Sequence, residues 1–330
     1  AINVYGTDSD ADPRFRSLYS GETGASIIAA RYDHYEADGL LYESEVGRLS
    51  LEGVAVTRAG VNGYDDRAAL GFYGLGSAAT DDGRAPSYVI GSVVALTWNV
   101  GIHVVGSDHV RLIDNIVFHT LGSNFKIESG VGTVLERNLA VRAVTRLTYR
   151  GRASRSILSK VSWKDYCANF EILSGPSSVN RNAAAGSERL GFKFSTPPAL
   201  CDADGAPEDD RTAVDGPAIT RSSFAGNVAH TSLLGFALHF SPDAACVEVS
   251  RLTVFRCWTY SVWGTATYAS MRFADMRLAD SKTLFAFGLA APTGLSHQLA
   301  TPAKRVSLTN SLLVGRTQGN AECADQCVAE

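Results

Sequence analysis

The chain has 330 residues, enough to bury a core in one elongated domain or two compact ones. Apolar residues make up 45% of the sequence and charged residues 19%, which excludes an intrinsically disordered chain. The net charge is -4 without a basic stripe, so nucleic acid is not an expected partner, and no apolar run approaches the ~20 residues of a membrane-spanning helix.

Short strands cut by glycine, asparagine, aspartate and serine dominate the predicted elements, and helical periodicity is absent. The first 49 residues are rich in charged and turn-forming residues, with one predicted strand in ASIIAARYDHY at 25–35. The DHYE run at its end resembles a metal or acid–base cluster. On a strand Asp33 and Tyr35 face one side and His34 and Glu36 the other, so the four do not converge, and we interpret them as solvated cap residues.

A 23-residue repeat begins at Val89. A fixed period of this length, built from short strands, is typical of a solenoid in which each coil buries its inward residues on the coils above and below. The sequence therefore predicts an all-β, right-handed parallel β-helix with rungs of about 23 residues over 50–316, preceded by an N-terminal cap at 1–49. The matched columns are Val89, Leu112 and Leu135; Ser92, Asn115 and Asn138; Val93, Ile116 and Leu139; Val94, Val117 and Ala140; Ile102 and Phe125; and Val104 and Ile127.

Asn115 and Asn138 fall at the same turn of successive rungs, where stacked side chains would bond each other and the turn backbone. Asn182 follows 44 residues later and Asn227 a further 45, so each interval holds two rungs or one rung with a loop excursion. We favour excursions. We interpret the four asparagines as a structural ladder rather than a binding site.

The stretch RNAAAGSERLGFKF at 181–194 has the glycines of a phosphate-binding loop but not the strand-to-helix context that such a loop requires. Leu190, Phe192 and Phe194 alternate and predict an inward-facing strand. We expect Glu188 and Arg189 to form a solvated corner pair.

Residues 198–217, PALCDADGAPEDDRTAVDGP, contain no strand-like run and predict an acidic loop excursion. Asp202, Asp204 and Asp209 in it could form a weak Ca²⁺ site, although the ligand spacing and closing glutamate of an EF-hand are absent. A solvated loop without any cofactor is the favoured alternative.

The remaining sequence predicts further, irregularly spaced strands, a second excursion at 291–304 and a C-terminal tail, or the start of a following domain, at 317–330. The strands are expected within VEVSRLTVFRCW, YASMRFADMRLA, SKTLFAFGL and KRVSLTNSLLVG.

The cysteines include no CxxC pair of the kind that binds zinc. Their even number and wide spacing fit an oxidising compartment, although three disulfides are not demanded. No N-glycosylation sequon occurs. The six cysteines are Cys167, Cys201, Cys246, Cys257, Cys323 and Cys327.

Four stretches, within about 42–265, together resemble the β-helix region of fibrocystin and fibrocystin-like proteins. They are more distantly similar to the cell-surface hyaluronidases called transmembrane protein two and the cell-migration-inducing protein. The stretches are YESEVGRLSLEG, GIHVVGSDHVRLIDNIVFHTLGSNFKIESGVGTVLERNLAV, RNAAAGSERLGF and SFAGNVAHTSLLGF.

The resemblance implies an extracellular or ciliary-surface module of a much larger protein, whose partners are other domains of the same chain, glycans or further copies of itself. It also implies a disulfide between Cys201 and Cys246 that tethers the acidic loop, while Cys323 and Cys327 pair with each other or elsewhere. The fibrocystin branch implies a structural or adhesion role without catalysis. Because a solenoid has two ends that can stack, such a module is also a candidate for assembly into a filament. The hyaluronidase branch implies glycan cleavage.

The chain departs from the hyaluronidase pattern in TLGSNFKIESG, where Ser123 or Asn124 stands at a histidine position and the acidic pair is reduced to Glu128. An enzyme acting on a polysaccharide would need convergent carboxylates. The candidates are Asp108, Asp114 and Glu128, with His109 and Lys126 nearby. Asp108 and His109 lie in a predicted turn, where local hydrogen bonds favour Gly-Ser-Asp, so a structural role is the favoured alternative.

Aromatic residues in RCWTYSVWGTATY offer a surface on which sugars could stack. Trp258, Tyr260 and Trp263 are the candidates, and packing is the favoured alternative.

Overall fold

The computed structural model describes residues 2–5, 26–35, 41–61, 67–77, 86–145, 166–173, 177–195, 223–239, 246–265, 270–288 and 306–315. These ranges contain strands and turns and no helix, and accordingly no helix that could cross a membrane. The strands are β1 (Ile2–Tyr5), β2 (Ser26–Tyr35), β3 (Leu41–Val46), β4 (Ser50–Glu52), β5 (Ala55–Thr57), β6 (Leu70–Gly76), β7 (Tyr88–Ile90), β8 (Val93–Thr97), β9 (Ile102–Ser107), β10 (Arg111–Ile113), β11 (Ile116–Leu121), β12 (Phe125–Glu128), β13 (Thr133–Glu136), β14 (Leu139–Val144), β15 (Ala168–Ile172), β16 (Ser177–Asn180), β17 (Ala183–Ala185), β18 (Leu190–Phe194), β19 (Ser223–Ala225), β20 (Val228–His230), β21 (Leu234–His239), β22 (Cys246–Ser250), β23 (Thr253–Phe255), β24 (Tyr260–Thr265), β25 (Ser270–Ala274), β26 (Arg277–Ala279), β27 (Thr283–Gly288), β28 (Val306–Thr309) and β29 (Leu312–Val314).

The strands form three long sheets in which every third strand of the chain is a hydrogen-bonded neighbour, which is the topology of a parallel β-helix. The predicted fold is therefore confirmed. Sheet I runs β1-β2-β6-β9-β12-β15-β18-β21-β24-β27, with β3 on β2; sheet II runs from β4 through β7, β10, β13, β16, β19, β22 and β25 to β28; and sheet III runs from β5 through β8, β11, β14, β17, β20, β23 and β26 to β29.

The strand register reproduces the 23-residue repeat, since Val89 pairs with Leu112 and Leu112 with Leu135. Elsewhere a rung is longer. Leu135 pairs directly with Val179, 44 residues on, so that interval is one rung with an excursion, as the sequence favoured. The predicted loops at 198–217 and 291–304, and the tail at 317–330, lie outside the described residues.

The corner between sheets II and III has a constant length of two residues in every described rung. Its first residue always has a left-handed backbone, with φ between 47° and 67°. These residues are Gly53, Gly91, Asp114, Arg137, Arg181, Gly226, Arg251, Asp275 and Asn310. A constant corner keeps sheets II and III in register, while the other corners accept the insertions.

The core is a stack of inward-facing columns with phenylalanine rings at its centre. The rings of Phe125 and Phe170, and those of Phe170 and Phe192, are stacked with centroids 4.9 Å apart. All three side chains are fully buried. Leu190, Phe192 and Phe194 are all buried, as the sequence predicted.

At the N-terminal end, β2 joins sheet I parallel to β6, and β1 and β3 pair with β2 antiparallel. In the first rung Val56 is 8% exposed. Leu51, the inward residue of β4, is partly buried.

Candidate functional site

The four asparagines occupy the second position of the corner between sheets II and III, and all are buried. Asn138 Oδ1 accepts hydrogen bonds from the backbone N–H of Asn115 and from its Nδ2, at 3.0 and 3.1 Å. Asn182 makes the same two contacts to Asn138, and Asn227 makes them to Asn182. Each Nδ2 also donates to a carbonyl of sheet II, such as Leu112 O for Asn138. No amide oxygen in this chain of bonds is directed at solvent, which fits a structural role.

The two aspartates considered as catalytic groups lie at opposite ends of β10, each with a structural partner. Asp108 Oδ1 accepts a hydrogen bond of 2.8 Å from the backbone N–H of Val131 in the next rung. Asp114 binds the Arg137 guanidinium through both oxygens at 2.8 Å, which lowers the pKa of the Asp114 carboxyl. Both carboxylates therefore tie adjacent rungs together.

Glu128 belongs to a polar cluster on the outer face of sheet I. His103 on β9 lies beside it, with Nε2 3.4 Å from Glu128 Oε1, and Lys126 forms an ion pair with the same oxygen. On its other side, His103 Nδ1 is 3.4 Å from Tyr73 Oη, and the two rings meet edge to face. We call Tyr73, His103, Lys126 and Glu128 the outer-face cluster.

The outer-face cluster holds Glu128 ionised. The pKa of Glu128 is lowered to about 2, first by its contact with His103 and then by Lys126, against the opposing effect of partial burial. His103 is 3% exposed, whereas the side chains of Lys126 and Glu128 are 22% and 30% exposed. Solvent and a ligand can therefore reach the charged end of the cluster.

The order phenol, imidazole and carboxylate is that of an acid–base relay. A carboxylate beside one ring nitrogen orients the imidazole, and the other nitrogen faces a hydroxyl that can give or take a proton. The Lys126 ammonium would attract an acidic substrate. Sequence reasoning found Glu128 and Lys126 but missed Tyr73 and His103. Register gives the signal, because His103 lies 23 residues before Lys126 in the same outward column.

A second group that the sequence did not single out as a site continues this column into the next two rungs. Glu171 pairs with Lys126 in register, and Lys193 with Glu171. Lys193 Nζ lies 2.6 Å from Glu171 Oε1, and the Ser123 hydroxyl donates to Glu171 Oε2 at 2.5 Å. Lys193 is 1% and Glu171 5% exposed. We call Ser123, Glu171 and Lys193 the buried triad.

Ser123 of the buried triad is one of the two residues, with Asn124, expected at the histidine position of the hyaluronidase-like pattern. Ser123 Oγ also accepts a hydrogen bond from the backbone N–H of Ala168, and Lys193 Nζ donates to Tyr166 O. With all three side chains so engaged and buried, the triad serves the structure rather than a substrate.

The prediction that Glu188 and Arg189 form a solvated corner pair is wrong for Arg189. Arg189 is 8% exposed, and its guanidinium lies over the Tyr166 ring at 4.9 Å. Glu188 is partly buried and accepts hydrogen bonds of 2.9 Å from the N–H and hydroxyl of Thr145. Polar sequence around a glycine suggested solvent exposure, but packing against β14 and Tyr166 determines the environment.

The aromatic candidates do not share one environment. Trp258 is 49% exposed in the turn before β24. Tyr260 and Trp263 are partly buried against a small apolar cluster that includes Leu190 and Leu234. Packing explains the latter two.

Two cysteines are free and buried, Cys167 and Cys257. Burial raises the pKa of both thiols, to about 11 for Cys257. A framework of three disulfides is therefore excluded. Cys201, Cys323 and Cys327 lie outside the described residues, and of Cys246 only the backbone is described.

The proposed Ca²⁺ ligands Asp202, Asp204 and Asp209 lie outside the described residues, and so does Glu36 of the DHYE run. In the part of the chain that the structure describes, no group of three or more histidine, cysteine or acidic side chains is arranged to hold a metal ion.

Comparison with known proteins gives a family and two long relatives. Residues 40–236 match the family model described as CEMIP beta-helix. The chain is 26% identical to Fibrocystin-L of Mus musculus and 25% identical to Fibrocystin-L of Homo sapiens, over 284 residues that make up 84% of this chain. The same residues are 6% of each relative, so the chain spans a small part of their length.

Proposed function

Because the chain belongs to the CEMIP β-helix family, we propose that it is a non-catalytic structural or adhesion module of a larger, fibrocystin-like protein at the cell surface or outside the cell. In this role the β-helix is a stiff spacer that carries its insertions at the corners before and after sheet I. Its partners are neighbouring domains, glycans or further copies of the chain.

The observation that carries this proposal is the use of the candidate carboxylates within the scaffold. Asp108 accepts a hydrogen bond from a backbone N–H of the next rung, and Asp114 forms an ion pair with Arg137. A glycosidase needs two carboxyl groups that flank one bond and remain available to it. The scaffold contacts of both aspartates support a structural use of these carboxylates.

The experiment is incubation of the protein with size-defined hyaluronan, chondroitin and pectin, with and without Ca²⁺, followed by sizing of the polymer. We expect no shortening. Shortening of any of the three contradicts the non-catalytic proposal, and dependence on Ca²⁺ would point to the acidic loop.

A second candidate, an enzyme acting on acidic polysaccharides, is favoured by the outer-face cluster. There Tyr73 would act as the acid or base, and Lys126 would attract the substrate carboxylate. If shortening is seen, Tyr73→Phe should abolish it at unchanged stability. The matched control is Tyr88→Phe, at a partly buried tyrosine of sheet II, and this variant should still shorten the polymer.

The extracellular location has its own test, since it implies disulfides among the four remaining cysteines. In the native, secreted protein we expect no thiol to react with Ellman's reagent, because Cys167 and Cys257 are buried. After denaturation two thiols should react. Six reactive thiols would place the chain in a reducing compartment.

A further inference from the structure

The outer face of sheet III is apolar, whereas the outer faces of the other two sheets carry charged side chains such as Lys126 on sheet I and Arg111 on sheet II. On six successive strands of sheet III, from β8 to β23, the outward side chains form two columns in register. Neither column contains an acidic residue, a lysine or an arginine. The two columns, which we call the sheet III patch, are Val93, Ile116, Leu139, Ala183, Val228 and Thr253, and Ala95, Phe118, Val141, Ala185, His230 and Phe255.

The sheet III patch is most exposed on β8, β11 and β14. Ile116 is 41% exposed, Val93, Phe118 and Leu139 are each 37% exposed, and the other members are partly buried. Each of the six strands has a described neighbour on both sides within sheet III, so the patch does not lie at an end of the solenoid. Scattered apolar residues are ordinary on a protein surface, but a contiguous patch of them marks an interaction surface.

Arginines border the sheet III patch on both edges. Each pair on one strand is five residues apart, about 16 Å in extended chain, and the two paired strands are three rungs apart, about 14 Å. Asp114 is the one exposed acidic residue among the described residues at these edges, and it is bound to Arg137. The rim is therefore basic, although the net charge of the chain is -4. The exposed arginines are the pair Arg137 and Arg142 on β14, the pair Arg251 and Arg256 on β23, and Arg181 beside β17.

We propose that the sheet III patch binds a protein partner whose surface has an aliphatic centre surrounded by acidic side chains. The outward side chains of two sheet faces interdigitate when the sheets pack about 10 Å apart. An apolar centre within a polar rim, with arginine enriched, is the usual anatomy of a protein interface, and a carboxylate can bind arginine through two hydrogen bonds. This inference rests on the adhesion role proposed above, for which it names a surface and a class of partner.

The same features argue against other occupants. Packing two copies face to face through the patch would bring their arginine-bearing edges together, and like charges across an interface repel. A sugar requires several placed hydrogen-bonding groups, whereas only Thr253 and His230 of the patch have polar side chains. Side chains of a flat face that are about half exposed do not reach the depth of about 5–10 Å at which apolar residues enter a lipid surface.

The experiment is selection of binders to the whole chain from a phage-displayed library of a small β-sandwich domain with one randomised sheet face. We expect the selected faces to combine aspartate or glutamate with leucine, valine or phenylalanine. Their Kd should be micromolar, because the patch measures roughly 16 by 24 Å, less than the ~800 Å² per partner of a standard interface. Salt should weaken binding. The absence of binders, or selected faces without acidic residues, overturns the proposal.

Charge variants locate the contact. Arg142→Glu should raise the Kd of a selected binder at least about 10-fold, whereas Arg142→Lys should retain most of the affinity. Arg111→Glu is the matched control, because it makes the same change of charge on the outer face of sheet II, and it should leave the Kd unchanged. Equal effects of Arg142→Glu and Arg111→Glu would mean that net charge alone drives binding, and would overturn the proposal.

An apolar variant and two further probes separate the occupants. Phe118→Ser removes a ring from the patch and should also raise the Kd at least about 10-fold. Vesicles of phosphatidylcholine and phosphatidylserine, and heparin oligosaccharides, should not bind through the patch. Binding of either probe that is lost in both Phe118→Ser and Arg142→Glu would assign the patch to lipid or glycan and overturn the proposal. The polymer-sizing assay tests the non-catalytic role separately, since it does not depend on the patch.

Discussion

Ionisable side chains on the outer face of sheet I form one column in which charge and exposure change from rung to rung. The column contains, in register, Lys126, Glu171 and Lys193. Glu171 and Lys193 form a buried ion pair, whereas Lys126 is partly exposed. Burial of an ion pair costs desolvation free energy, which only close contact and added hydrogen bonds offset. Ser123 and the Tyr166 carbonyl supply those bonds.

The buried triad predicts an asymmetric response to mutation. Lys193→Met leaves the Glu171 carboxylate buried without its cation, so the free energy of unfolding should fall by about 3–5 kcal/mol. The double variant Glu171→Leu/Lys193→Met should recover most of that loss. Lys126→Met, in the same column but partly exposed, should cost at most about 1 kcal/mol. Urea denaturation measures all three, and equal losses for Lys193→Met and Lys126→Met would contradict a buried ion pair.

Glu128 predicts a pH dependence of stability. Its folded pKa of about 2 lies below the ordinary value of 4.5, so its contribution is complete above about pH 4.5 and is lost as the pH falls through 2. Wild type should therefore exceed Glu128→Gln in stability at neutral pH, and the difference should disappear near pH 2. The difference should be small, because solvent screens a half-buried carboxylate.

The source of this effect can be isolated with His103, the largest cause of the lowered pKa. In a His103→Gln background, the difference between Glu128 and Gln at neutral pH should shrink. An undiminished difference would assign the effect to Lys126 alone.

Elements of this chain were predictable where their spacing is regular. Two 23-residue intervals revealed the rungs, and the asparagines carried the register across intervals of 44 and 45 residues. The outer-face cluster and the buried triad were not recognised, for the same reason. Their members come from different rungs, and the insertion after β14 hides the column that joins Lys126 to Glu171 and Lys193. The asparagine ladder was recognisable because the corner between sheets II and III has the same length in every described rung.

The ladder predicts that its middle members matter most. Asn182→Ala removes the acceptor of the Asn138 N–H and the donor to Leu135 O, and both groups remain buried. The free energy of unfolding should fall by about 2–4 kcal/mol, since each unsatisfied buried group costs about 1–3 kcal/mol. Asn310→Gly, at an exposed left-handed corner of the last described rung, should change it by at most about 1 kcal/mol and is the control, since glycine adopts this backbone without strain. A similar loss in both variants would indicate that the amide stack adds nothing.

At the scale of the whole molecule, stability in a solenoid is the sum of each rung and its contacts with the next. The predicted resemblance to fibrocystin-like proteins is confirmed by the family model and by the relatives, and with it the β-helix. The exposure of Leu308 and Leu313, at 37% and 41%, was not predictable, because the sequence continues the inward columns through these residues without a change of pattern. Only the exposed fractions of these two side chains distinguish them from the buried members of the same columns.

The rungs differ in their stabilising contacts, which predicts a gradient of local stability along the axis of the β-helix. Rungs around β11 and β14 combine the asparagine ladder with the stacked phenylalanines, while β28 and β29 lack a neighbour on one side among the described strands. Backbone amides of Ile116–Leu121 should exchange with deuterium most slowly and those of Leu312–Val314 most rapidly, because local opening begins where fewest contacts must break. Hydrogen-exchange mass spectrometry measures the gradient. Uniform protection along the chain would mean that the molecule opens as a single unit, and that the exposure of Leu308 and Leu313 carries no energetic consequence.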